Sequence, residues 1–130
     1  MTRNLARLLL ALPGLFITLT GTVFLLSPAS AADKLLLGAQ SAEALSNVRG
    51  MSGAPLLAVG LTLLLSAATA RLEYARPAAI FLLTLLAARV LSYVVDGAPS
   101  SIALFLAVPA TAFGFMLAGH VLLDRAAAEA

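Results

Sequence analysis

The chain of 130 residues contains no cysteine and no tryptophan, one histidine and six acidic residues. Without cysteine there is no disulfide framework, no thiolate nucleophile and no thiolate metal ligand. One histidine and six scattered acids leave little from which to build a metal site, so neither a metal nor a cofactor is expected. Charge of either sign is scarce: 11% of residues are charged, against roughly 25% in ordinary soluble domains. Seven of the eight basic residues are arginines, standing mostly at the ends of apolar runs. A nucleic-acid surface needs them clustered on one face, so that class is excluded.

What remains is apolar. Hydrophobic residues make up 62% of the chain and the mean hydropathy is +1.04. A soluble domain carries roughly 45–50% apolar residues, and a chain this short cannot hide the surplus from water. Lipid is therefore the expected solvent. Four apolar segments can be drawn, at residues 5–26, 50–70, 77–95 and 102–123. Each is close to the roughly 20 residues that carry a helix across a hydrocarbon core about 30 Å thick. They are continuously apolar and rich in Leu and Ala, unlike the short alternating strands of a barrel. The expected fold is a single all-α domain over residues 1–130: an integral-membrane, up-down-up-down four-helix bundle with short turns at 71–76 and 96–101.

Arginine placement orients it. Arg3, Arg7, Arg71, Arg76 and Arg125 fall on one side and Lys34 and Arg49 on the other. The positive-inside bias then puts both termini in the cytoplasm. The first segment has a rival reading, because Arg3 and Arg7, an apolar run and Ala29-Ser30-Ala31 resemble a signal peptide with a small-residue cleavage site. Its apolar run is longer than the 7–15 residues of a signal core, which favours a retained helix. In the outer connection, 27–47, Pro28 ends the first helix and Asp33 is placed to start a short one through Leu37, stopped by Gly38. Residues 41–47 are weakly amphipathic and lead into the second helix.

Small residues let helices approach closely in lipid. Three ladders stand out: Gly14, Thr18, Thr22 and Gly21 on the first segment, Gly50, Ala54 and Ala58 on the second, and Ala110, Gly114 and Ala118 on the fourth. They are expected to pack the four helices together, with the alternative that the fourth-segment ladder meets another subunit.

The unusual chemistry lies on the outer side. Arg89 stands inside the third segment, twelve residues past Pro77, about 18 Å along a helix. Its side chain can snorkel outward, since Val95 ends the run roughly 9 Å away. Ser92, Tyr93 and Asp96 follow near the same face, then Ser100 in the turn. Glu43, Asn47 and Arg49 enter the second segment at the same level. Glu43, Asn47, Arg49, Arg89, Ser92, Tyr93, Asp96 and Ser100 are therefore expected to converge in one outer-leaflet polar cluster. Such a cluster serves either as an ion-pair network tying helices together or as a pocket for the polar head of a lipid, a quinone or a small acid. No catalytic residue is assigned, because no nucleophile stands with a base and His120 lies at the opposite end of the fourth segment.

Two patterns, Leu45-Ser-Asn-Val-Arg49-Gly-Met-Ser-Gly53 and Arg89-x-x-Ser92-x-x-x-Asp96-Gly97-x-Pro99-Ser100, resemble those of a bacterial domain-of-unknown-function family, number 4345. The likeness spans nearly the whole chain. It implies a small four-helix protein of the bacterial inner membrane and no particular activity; DoxX-like proteins offer a more distant analogy of shape. The resemblance also implies a glutamate in the last helix, where this chain has Val108-Pro-Ala-Thr111. The expected role is that of a non-catalytic accessory protein in a larger membrane complex or homo-oligomer, with membrane lipid around it. The alternative is a binder or carrier of a small amphipathic molecule at the outer cluster, with an enzyme as the third reading.

Overall fold

The structure, a computed structural model, describes residues 2–34, 38, 41–96 and 102–128. Among them there is no strand. In chain order come α1 (Thr2–Leu26), α2 (Pro28–Lys34), α3 (Ala42–Asn47), a π-helical segment (Val48–Gly53), α4 (Ala54–Thr69), a 3-10 turn (Leu72–Ala75), α5 (Arg76–Asp96) and α6 (Ile102–Ala128). Four stretches are long and apolar enough to cross a membrane: α1, α3 through α4 taken together, the turn through α5, and α6.

Leu and Ala dominate the four long elements, and both are strong helix formers. Helix starts and stops follow local chemistry. Ser41 caps α3 by accepting the Ala44 N–H at 3.1 Å. Pro55 and Pro77 stand in first turns, where no intrahelical donor is lost. Ala70 closes α4 in the left-handed region at φ 56°. The short outer helix differs from expectation. It begins at Pro28, whose fixed φ suits a first helical position, and Asp33 lies near its end instead of its start. Residues 35–37, where that helix was expected to run, lie outside the described residues.

α1 is the element the others share. It packs along α4 and α6, while α5 rests on α6 and, over a smaller area, on α4. Ala6, Leu10 and Ile17 of α1 meet Val59, Leu63 and Ala67 of α4, with Ala112, Met116 and Leu123 of α6 and Ala78 and Leu82 of α5 completing the core. A smaller cluster of Phe24, Ala31, Ala32 and Val48 folds α2 and the π segment over the end of α1. α5 is the least enclosed span, with 11% of its most apolar stretch buried against 28–33% for the others.

Backbone approach sets the α1–α4 pair. A Cβ on Gly60 would lie 2.8 Å from Thr18 Cα, and one on Gly21 would lie 2.8 Å from Leu57 Cα. At both positions a side chain would force the two backbones apart. Of the expected ladder of Gly14, Thr18, Thr22 and Gly21 on α1, Gly14, Thr18 and Gly21 are therefore in close contact with α4. On the other two segments the contact faces differ from those expected. α4 and the π segment present Gly53 and Gly60, whereas Gly50 has nothing within 4 Å and Ala54 and Ala58 are exposed. α6 turns Pro109, Ala112, Met116, Gly119 and Leu123 inward, leaving Ala110, Gly114 and Ala118 exposed.

Candidate functional site

α1 and α4 run in opposite directions, and an arginine closes each end of the pair. The last carbonyls of a helix have no intrahelical donor. At the α4 end, Arg7 of α1 donates from Nε to the Ala67 carbonyl at 2.7 Å and from Nη2 to the Ala68 carbonyl. At the α1 end, Arg49 of the π segment donates from Nε to the Leu25 carbonyl at 3.0 Å. Each cation sits where the helix dipole is negative. Each helix of the pair thus has the other's C-terminal end capped from near its own start.

The Arg49 cap comes from the π segment. The Ala54 N–H donates to the Arg49 carbonyl, five residues back instead of four. That wider turn leaves Arg49, Gly50 and Met51 exposed while Val48 and Gly53 are buried. Gly53 admits the Leu25 side chain to 3.1 Å from where a Cβ would stand. π turns recur at functional sites, and this one coincides with the Leu45–Gly53 pattern. The family model for Domain of unknown function (DUF4345) matches residues 5–120, from within α1 to the last turns of α6. The chain belongs to that family. No curated protein and no solved structure matches it.

In this member of the DUF4345 family, the described residues of the expected outer cluster stand on α3, the π segment and α5. Glu43 and Asn47 are exposed on α3, beside Arg49 at the end of α1. Arg89, half-buried, and Ser92 and Tyr93, exposed, lie on the C-terminal half of α5. Arg89 and Ser92 are each engaged in a polar or electrostatic interaction. Among the described residues, α5 makes no packing contact with α3 or the π segment. Asp96 ends α5, and its side chain lies outside the described residues, as does Ser100.

The opposite end holds polar groups that the sequence marked only as charges. Ser66, fully buried, donates to the Arg71 carbonyl at 2.9 Å and ties the turn after α4. Arg71 pairs with Glu73 at 2.9 Å and lies 5.8 Å from the Tyr74 ring centre. His120 Nε2 stands 3.3 Å from Asp124 Oδ2 one turn along α6. Where the family resemblance implied a glutamate, Val108 and Thr111 line an apolar groove of about 400 Å³ between α1 and α6, with Leu12, Pro13, Phe16 and Phe115. Among the described residues no three His, Asp or Glu side chains gather closely enough to hold a metal ion. Arg7, Arg49 and Arg71 each close a helix end or a turn.

Proposed function

We propose that this protein is a non-catalytic accessory subunit of a complex in the bacterial inner membrane. It spans the bilayer as an up-down-up-down four-helix bundle, with α1 retained and both termini cytoplasmic. The role of α1 as the shared packing partner of α4 and α6 supports its retention. The arginine count at the segment ends supports the orientation.

The observation that carries the reading is the outward ladder on α6. Ala110, Gly114 and Ala118 are exposed, and a Cβ on Gly114 would meet nothing within 4 Å. Small residues four apart let another membrane helix approach closely, and among the described residues this stripe faces away from the buried face of α6. A transmembrane helix of a partner chain is the occupant it fits.

Gly114→Leu separates association from folding, because the added side chain enters open space. In mild detergent, blue-native electrophoresis of the wild type should show a stoichiometric partner. Gly114→Leu should release that partner with no loss of thermal stability. A monomeric wild type, or a partner indifferent to Gly114→Leu, would sink the proposal. The absence of cysteine makes topology easy to read: Asn47→Cys should react with an impermeant maleimide from outside, and Glu73→Cys only after the membrane is opened. The reverse pattern refutes the orientation.

A further inference from the structure

A groove of about 250 Å³ lies between the N-terminal end of α5 and α6, beside the 3-10 turn. Arg76 and His120, both exposed, line it together with the apolar Leu83, Phe113, Met116 and Leu117. Leu83 is seven residues from Arg76 and Phe113 seven from His120, so on both helices the change from polar to apolar takes about 10 Å. That is the polarity gradient of a membrane interface.

The arginines at this end are not equivalent. Arg7 is committed to the α4 carbonyls, and Arg71 to Glu73 and the Tyr74 ring. Arg3 and Arg125 are exposed and do not line this groove. Among the described residues, Arg76 has neither a hydrogen bond nor an ion pair, and it overhangs an apolar slot. The acids nearby are already placed, Glu73 on Arg71 and Asp124 on His120. The larger groove between α1 and α6 has no charged residue to orient a head group.

We propose that the α5–α6 groove binds one anionic phospholipid, its phosphate on the Arg76 guanidinium and an acyl chain along Leu83, Phe113, Met116 and Leu117. Basic pockets between membrane helices on the cytoplasmic side select anionic head groups, and the arginine fork suits a phosphate. The proposal rests on the membrane placement given above but not on the accessory role. A wrong orientation would appear in the maleimide labelling, whereas lipid retention does not depend on sidedness.

The test is native mass spectrometry of the full chain after reconstitution in vesicles of phosphatidylcholine and phosphatidylglycerol in equal amounts. The wild type should retain one phosphatidylglycerol in preference to phosphatidylcholine. Arg76→Gln should lower that preference about five-fold, the effect of one arginine near an anionic surface. Leu117→Trp, which fills the groove from a half-exposed position, should lower retention with Arg76 intact, and Arg125→Gln should change nothing. Circular dichroism confirms that each variant remains folded. Equal retention of both lipids would overturn the site, as would equal losses in Arg76→Gln and Arg125→Gln, which mark diffuse attraction. Unchanged retention in Leu117→Trp would overturn it too.

Discussion

Replacing Gly60 by alanine adds one carbon to the α1–α4 interface, and its consequence can be worked from distances. The new Cβ would stand 2.8 Å from Thr18 Cα, and closer still to Thr18 N and Oγ1. Ordinary contact begins at 3.4 Å, so the helices must part locally by at least about 0.6 Å. Two of the three atoms are backbone, so no side-chain rotation relieves the clash. A gap of roughly 0.5–1 Å forfeits a quarter to a half of each dispersion well along the seam. Overpacking of this kind typically costs about 1–3 kcal/mol. The same substitution at Gly114 supplies the control, since nothing lies within 4 Å there. Both variants gain about 1 kcal/mol in helix propensity, so the difference between them isolates the packing cost. Unfolding in mixed micelles by titration with sodium dodecyl sulfate, followed by far-UV circular dichroism, should find Gly60→Ala about 1–3 kcal/mol less stable than Gly114→Ala. Two variants agreeing within about 0.5 kcal/mol, the usual scatter for surface changes, would refute the claim that backbone approach organises this pair.

The other expectations use the same unfolding assay. Arg7→Leu removes two charge-assisted bonds, one of them exposed; the loss should be about 1–2 kcal/mol. Arg7→Lys should recover only part of it, because an ammonium lacks the fork that reaches both carbonyls. Ser66→Ala, at a fully buried site, should cost about 1 kcal/mol through the lost bond to the Arg71 carbonyl. Thr18 Oγ1 is buried without a hydrogen-bond partner among the described residues. Thr18→Val should accordingly be neutral or stabilising by up to about 1 kcal/mol, and a clear loss would show that the hydroxyl matters to the Gly60 contact.

The membrane-length segments were legible because a run of about 20 apolar residues has few other uses. The observed helices overrun the expected bounds: α1 begins at Thr2, and α6 continues through the alanines to Ala128. Alanine carries a helix onward where hydropathy has already fallen. Interfaces were harder to read. The spacing of Gly50, Ala54 and Ala58 looks the same as that of Gly14 and Thr18, and a helix in lipid has no polar face to mark its outside. Only the partner's shape decides, and Thr18 and Leu57 decide for Gly60 and Gly21. Arg49 stood out in the sequence, but its partner is the Leu25 main-chain carbonyl, which a search for opposing acids does not find. Arg7 was visible as a charge near a helix start; its role as a cap depends on the α1–α4 register, which is set by packing.

The π segment carries a consequence for chain length. Its five-residue spacing accommodates one residue more than an α-turn would at the same place. Deleting Met51, whose side chain is exposed, would let 48–53 relax into an ordinary α-helix with a more regular ladder. Because the wide turn already takes up that residue, α3 and α4 would keep nearly their present phase relative to each other. A deletion at exposed Leu61, in the regular turns of α4, has no such slack and would rotate everything before it by about 100°, carrying Arg49 away from Leu25 and Val48 away from Phe24 and Ala32. The extra residue therefore acts as slack: a one-residue change of length is absorbed at 48–53, whereas the regular turns of α4 would pass it on to every contact before it.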